Sequence, residues 1–94
     1  MSRRRGLMCR VCGHHDEEAS PGDSCPRDQT ILIPSNTHRI HGTNPLLGQI
    51  IKDRYAVFDV LGVGGFGAVY RVIDQELNLQ VALKTIHHFP QDER

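Results

Sequence analysis

Three glycines, Gly62, Gly64 and Gly67, lie between two runs of β-branched and aromatic residues, and this arrangement limits the folds open to the chain. The spacing G-x-G-x-x-G occurs in two unrelated nucleotide-binding architectures. One of them, the dinucleotide-binding fold, needs a helix directly after the glycines. Here Val-Tyr-Arg-Val-Ile follows at 69–73 and a strand-like run precedes at 55–61, and both patterns favour strands. The sequence therefore predicts a β-hairpin with a glycine turn and excludes the dinucleotide-binding fold.

A third strand is predicted after a turn at 75–78, and it contains Val-Ala-Leu-Lys at 81–84. The two-residue period of a strand places Ala82, Lys84 and Ile86 on one face. Glycines in the turn let backbone N–H groups approach phosphate oxygens. Ala82 offers a flat wall for a purine, and Lys84 adds a single positive charge suited to α- and β-phosphates. We expect Phe66, at the tip of the turn, to lie over the phosphates and shield them from water.

In these motifs the chain resembles the N-terminal lobe of bacterial eukaryotic-like (Hanks-type) serine/threonine protein kinases. The similarity consists of G-x-G-x-x-G-x-V at 62–69 and V-A-x-K at 81–84. The resemblance implies ATP binding, Mg²⁺ in the full-length kinase, and phosphoryl transfer to a protein substrate. Specificity for serine or threonine rather than tyrosine rests on the resemblance alone. The ATP-binding residues that it implies are Leu61, Gly62, Val63, Gly64, Gly65, Phe66, Gly67, Val69, Ala82 and Lys84, with Leu61, Val69 and Ala82 around the adenine and Lys84 on the phosphates.

The groups that carry out phosphoryl transfer in that family do not occur in this sequence. In kinases the lysine pairs with a glutamate on the next helix, and the catalytic aspartate and magnesium ligands come later. The sequence contains neither H-R-D-x-x-x-x-N nor D-F-G, and Glu93 follows Lys84 too soon to be that glutamate. Residues 90–94 resemble a helix start, because Pro90 and the acids after it suit a first turn. We therefore expect an N-terminal kinase fragment, truncated before the αC helix and inactive by itself.

All three cysteines fall in the first 25 residues, in a pattern typical of a small metal-binding module. C-x-x-C at 9–12 is one half of a zinc-ribbon pattern, and C-P-R-D at 25–28 resembles the other half with aspartate as its last ligand. Two such knuckles can form a tetrahedral site, and Zn²⁺ accepts carboxylate oxygen as well as thiolate. A segment this short also needs a cross-link, such as a bound metal ion or a disulfide, in order to fold. The predicted zinc ligands are Cys9, Cys12, Cys25 and Asp28. His14 and His15 are alternatives to Asp28, and a ribbon without metal or a redox pair of cysteines is the competing interpretation.

Composition divides the chain into three parts. Residues 1–34 hold the cysteines and form the expected zinc-ribbon-like module. Residues 35–45 are mostly turn formers and are expected to be a linker, whereas 46–94 hold most of the periodic apolar residues. The predicted fold class is α+β: a zinc-ribbon-like module followed by the first three antiparallel strands of a kinase N-lobe, with the glycine hairpin and the lysine strand.

Charge and hydropathy narrow the expected partners. The chain has 11 basic and 11 acidic residues, so its net charge gives no basis for binding nucleic acid. No apolar run approaches the roughly 18 residues of a membrane span, and no signal-peptide core occurs. An odd number of cysteines favours a reducing compartment. We expect a cytoplasmic chain whose partners are ATP, a protein substrate in a full-length form, and a protein that docks on the zinc ribbon.

A second hypothesis assigns the chain to a different class, a short zinc-dependent protein-interaction module with a vestigial nucleotide-binding hairpin. The two hypotheses differ in what they require beyond these residues. The kinase hypothesis requires coding sequence for the missing catalytic elements, whereas the interaction-module hypothesis requires a stable short product that holds one zinc ion.

Overall fold

The computed structural model describes residues 6–65 and 67–86. In this part of the chain, three two-residue strands, β1 (Leu7–Met8), β2 (His15–Asp16) and β3 (Ile33–Pro34), form a small antiparallel sheet with β1 in the middle. One short helix, α1 (Ser35–His41), follows. A larger antiparallel sheet contains, side by side, β4 (Ile50–Ile51), β5 (Tyr55–Gly64), β6 (Gly67–Asp74) and β7 (Leu79–Ile86). The architecture is mostly antiparallel β-sheet with one helix, which agrees with the expected α+β class.

The predicted glycine hairpin is present in the larger sheet. β5 and β6 pair antiparallel, with Gly64 opposite Gly67 at the closed end and Tyr55 opposite Asp74 at the open end. The register shifts twice along β5, between Val57 and Asp59 and between Val60 and Gly62. Such irregularities bend a strand. A turn at 75–78 then leads into β7, as the sequence predicts.

The two faces of the larger sheet bury different side chains. β6 alternates between buried and half-buried residues, so its Ala68, Tyr70 and Val72 point into one core. The buried members of this main core are Ile33, Leu47, Val57, Ala68, Tyr70 and Val72. Ile73 belongs to a second cluster that is centred on Ile31, Ala56 and Phe58. The N-terminal part of the chain thus supplies side chains to both clusters.

Residues 35–45, predicted to be a linker of turn formers, instead contain α1. The helix is amphipathic only weakly, and Thr37 is its buried residue. The hydroxyl of Thr37 donates a hydrogen bond to Asp59 Oδ1 on β5. A helix this short is stabilised by tertiary contacts rather than by intrinsic helix propensity. The sequence therefore shows no helical periodicity of apolar residues at these positions.

An ion pair closes the open end of the hairpin. Arg54 donates two hydrogen bonds of 2.8 Å to the carboxylate of Asp74, one from Nε and one from an Nη atom. Asp74 is 4% exposed, and its Oδ1 also accepts from the backbone N–H groups of Glu76 and Leu77. The pKa of Asp74 is lowered from 3.8 to about 2, chiefly by the hydrogen bonds from Arg54 and also by the two backbone N–H groups, against the opposing effect of burial.

Two predictions fall on residues outside the described ranges, namely the helix start at 90–94 and the placement of Phe66 over the phosphates. Within the described ranges, α1 is far too short to cross a bilayer, and no other helix offers an apolar span.

Candidate functional site

A pocket of about 190 Å³ opens beside the glycine turn. Its walls come from the end of β5, the start of β6 and the neighbouring part of β7. Lys84 reaches it from β7, where it lies opposite Val69 in the pairing with β6. The pocket is lined by Gly62, Val63, Gly64, Gly65, Gly67, Ala68, Val69, Lys84 and Thr85. The structure therefore brings the predicted glycines, Val63, Val69 and Lys84 around one cavity.

Two of the residues assigned to the adenine lie next to the lining of the pocket rather than within it. Leu61 is 49% exposed and Ala82 is also exposed, and neither lines the pocket. Ala82 lies opposite Arg71 on β6, two residues along β7 from Lys84. Conversely, sequence reasoning missed Ala68 and Thr85. The antiparallel register Ala68 to Thr85 could have been found by counting outward from the turn at 75–78, which joins β6 to β7.

The glycines around the pocket differ in how much space there is for a side chain at their positions. Gly67 has φ +145°, and a Cβ added there would lie 1.9 Å from the backbone oxygen of Thr85. Gly62 and Gly64 have no atom within 4 Å of an added Cβ. Gly67 is therefore required by the fold, whereas Gly62 and Gly64 leave open space beside the backbone, where a ligand can come close to it.

A separate cluster brings together the four predicted metal ligands. The ligand atoms of Cys9, Cys12, Cys25 and Asp28 all lie within 4.8 Å of one another. Cys9 and Cys25 are buried, whereas Cys12 and Asp28 are exposed. The four residues are therefore close enough to hold a metal ion, with one side of the cluster in the protein and the other toward solvent.

Two distances in the cluster match the edges of a zinc tetrahedron. With Zn–S bonds of about 2.3 Å, two thiolates on a tetrahedral ion lie about 3.8 Å apart, and a thiolate and a carboxylate oxygen lie about 3.5 Å apart. Cys12 Sγ and Cys25 Sγ are 3.7 Å apart, and Cys9 Sγ lies 3.5 Å from the carboxylate oxygens of Asp28. The donor set and its spacing fit Zn²⁺.

Backbone N–H groups point at the sulfur atoms of Cys9 and Cys25. The N–H groups of Val11 and Cys12 point at Cys9 Sγ at 3.4 Å, and that of Arg27 points at Cys25 Sγ at 3.3 Å. Burial opposes ionisation of Cys25, but the N–H groups of Arg27 and Asp28, together with hydrogen bonds from the Cys12 and Cys9 side chains, lower the pKa of this thiol below its ordinary value. For Cys12 the backbone N–H of His14 acts to lower the pKa, but burial and the hydrogen bonds with Cys25 and Cys9 raise it above its ordinary value. Metals bind the thiolate form, so the arrangement around Cys25 suits a ligand.

Asp28, the predicted fourth ligand, also accepts a hydrogen bond from a backbone N–H group. The backbone N–H of Thr30 donates to Asp28 Oδ1 at 3.0 Å and lowers the pKa of that carboxyl. His14 and His15, the alternatives to Asp28, are not members of the close group. The ring of His15 lies against Gly6, and His14 contributes its backbone oxygen, which accepts from the N–H of Cys9 at 2.8 Å. The geometry thus favours Asp28.

Similarity to known proteins is limited to part of the chain. A segment of 49 residues is 39% identical to a probable serine/threonine-protein kinase of Clostridium acetobutylicum. The match covers 51% of this chain but 8% of the relative, so the matched segment spans only a small part of that relative's length. No family model and no solved structure matches the chain. The similarity indicates a kinase-related segment.

Proposed function

We propose that this chain forms the ATP-binding front of a serine/threonine protein kinase. The observation that carries the proposal is the pocket in which Lys84 meets the glycine turn. Phosphate oxygens placed there would meet the backbone N–H groups that Gly62 and Gly64 leave accessible, and the ammonium of Lys84 would supply the opposite charge. Leu61 and Ala82, which are exposed beside this pocket, would then contact the adenine.

Phosphoryl transfer belongs to a longer form of the protein in this proposal. The partial similarity to a probable serine/threonine-protein kinase supports the assignment of the nucleotide as ATP and of the acceptor as a protein. The catalytic aspartate and the Mg²⁺ ligands of the kinase family have no counterparts among these residues. The chain would therefore bind ATP without transferring its phosphate.

The cysteine cluster is proposed as a structural zinc site, with Cys9, Cys12, Cys25 and Asp28 as ligands. Four protein ligands leave no open position on a tetrahedral ion, which is the usual arrangement of structural rather than catalytic zinc. When bound, the ion would cross-link two knuckles of a small segment. Docking of a protein partner on this segment is the second candidate function, and the exposed Val11 at the tip of the first knuckle (69% exposed) favours it.

Titration of the chain with ATP and Mg²⁺, followed by isothermal calorimetry, tests the nucleotide proposal. We expect saturable binding and a loss of at least about tenfold in affinity for Lys84→Ala, since one charge-assisted interaction is worth about 1.5 kcal/mol or more. Lys52→Asn is the matched control. It removes a lysine charge from an exposed turn with φ +56°, a conformation that asparagine tolerates.

Two results would contradict the nucleotide proposal. The first is the absence of ATP binding by the folded wild-type chain. The second is equal loss of affinity in the Lys84 and Lys52 variants, which would show a general charge effect rather than a site.

A further inference from the structure

Arg10 lies inside the first cysteine knuckle, yet its side chain points away from the cluster. The guanidinium donates hydrogen bonds to the backbone oxygens of Gly42 at 2.7 Å and Leu47 at 2.8 Å, and to that of Asn44. All three acceptors belong to segment 42–47, which connects α1 to the larger sheet. Neither the cysteine pattern nor the glycine pattern assigns a role to Arg10.

The oxygen atom of Leu47 depends on this contact. Leu47 is 0% exposed, so its backbone oxygen cannot turn to water, and a buried carbonyl without a donor is costly. The guanidinium has five N–H groups in a fixed planar fork, which lets a single side chain serve three carbonyls. Arg10 is therefore a specific support for segment 42–47 rather than a solvated surface charge.

Segment 42–47 is connected in turn to the glycine hairpin. Asn44 Oδ1 accepts a hydrogen bond from the hydroxyl of Tyr70 at 3.1 Å and another from the N–H of Leu46 at 3.0 Å. Tyr70 lies on β6 directly after Val69, which lines the pocket. The Leu47 side chain packs in the main core together with Tyr70. Direct contacts thus run without a gap from the cysteine knuckle to the strand that forms the pocket wall.

We propose that Arg10 is a positioning residue that couples metal occupancy of the cysteine cluster to the stability of the glycine hairpin. Cys9 and Cys12 flank Arg10 and are both proposed ligands, so a bound Zn²⁺ would fix the backbone from which the Arg10 side chain extends. Without the metal the knuckle gains freedom, and the Leu47 oxygen loses its donor in part of the population. This inference rests on the proposed zinc site and does not require ATP binding.

Hydrogen exchange of the full chain, loaded with Zn²⁺ or treated with a chelator, tests the coupling. In the wild type we expect zinc to slow exchange over 9–28 and also over 55–74, the latter by about tenfold, as for one hydrogen bond to a charged group. Arg10→Ala should bind one Zn²⁺ and keep the protection over 9–28, but lose the zinc-dependent protection over 55–74. Arg39→Ala is the control, because Arg39 is exposed and bonds to Asn36 within α1; it should behave as the wild type.

A second variant, Tyr70→Phe, removes only the hydroxyl that reaches Asn44 and leaves the ring in the core. It should reduce the zinc-dependent protection over 55–74 without changing the affinity for zinc. Full wild-type protection over 55–74 in Arg10→Ala would overturn the proposal. If Arg10→Ala does not fold, full protection in Tyr70→Phe would overturn it instead.

Two results with the wild type distinguish this inference from the zinc-site proposal, on which it rests, and from the ATP proposal, which is independent of it. Zinc that binds and leaves 55–74 unchanged would refute the coupling but not the metal site. Absence of zinc binding would refute both the metal site and the coupling, while leaving the ATP proposal intact, since the latter is measured separately by calorimetry.

Discussion

Substitution of Gly67 by alanine should destabilise the sheet around the pocket. The added Cβ would lie 1.9 Å from the backbone oxygen of Thr85, and real Cβ atoms essentially never come closer than 3.0 Å, so the two strands must separate there by at least 1.1 Å (3.0 − 1.9). The backbone at φ +145° is a second cost for an L side chain. Strain of this kind costs about 1–3 kcal/mol, and overpacking about 1–3 kcal/mol more. We expect a loss of at least about 2 kcal/mol, or at least about 8 °C in Tm for a domain of this size.

Thermal unfolding followed by circular dichroism measures this loss, and the other two glycines of the motif provide matched controls. Gly62→Ala and Gly64→Ala place a Cβ where no atom lies within 4 Å, so their stability should stay within about 1 kcal/mol of the wild type. Their affinity for ATP should nevertheless fall, because the new methyl groups occupy the approach to the backbone N–H groups. A Gly67→Ala chain with the wild-type Tm would refute the steric argument, as would equal destabilisation by all three substitutions.

Two further predictions concern charge and metal. Asp74 has a pKa of about 2 in the folded chain and an ordinary value of 3.8, so its contribution to stability is complete above about pH 4 and is lost as the pH falls toward 2. In urea unfolding between pH 2 and 5, the free energy of unfolding should therefore fall more steeply with decreasing pH in the wild type than in Arg54→Met. Parallel curves for the two proteins would contradict this. In competition with a chelating dye, the wild-type chain should bind one Zn²⁺. Asp28→Ala should weaken zinc binding by at least about tenfold, whereas His14→Ala should not. The opposite pattern would make a histidine the fourth ligand.

The glycine hairpin and the lysine strand could be predicted because their signals are local. Strand-forming residues on both sides of Gly62 to Gly67 favour a hairpin, and the turn at 75–78 then leads into the third strand. The same local counting places Lys84 near the glycines. It does not show that Leu61 and Ala82 lie outside the lining of the pocket, because that depends on how the three strands are arranged around the cavity.

The contacts that sequence reasoning missed all join residues far apart in the chain. α1 has no apolar stripe, and its hydrogen bond to β5 joins Thr37 to Asp59, which is 22 residues away in the chain. Arg10 resembles any surface arginine until segment 42–47 is folded next to it. A sequence pattern records the period of a strand or helix, but it does not record which distant carbonyl a side chain will meet. The metal cluster is the exception, because ligand spacing within each knuckle is itself a local signal.

The expected division of the chain near residue 34 stays a prediction, and the packing around Ile31, Leu32 and Ile33 bears on how independent the two parts are. These three consecutive residues are at most 1% exposed, yet each belongs to a different cluster. Leu32 packs with Cys9 and Cys25 in the small module, whereas Ile33 joins the main core and Ile31 joins the cluster on Ala56 and Phe58. A short cysteine-rich segment buries too little apolar surface to fold alone, and here it gains that surface because Ile31 and Ile33 pack against side chains of the larger sheet. The larger sheet depends on the same packing, since a sheet without Ile31 and Ile33 would expose Ala56 and Val57. This mutual dependence is the physical reason to expect that loss of the metal destabilises the glycine hairpin.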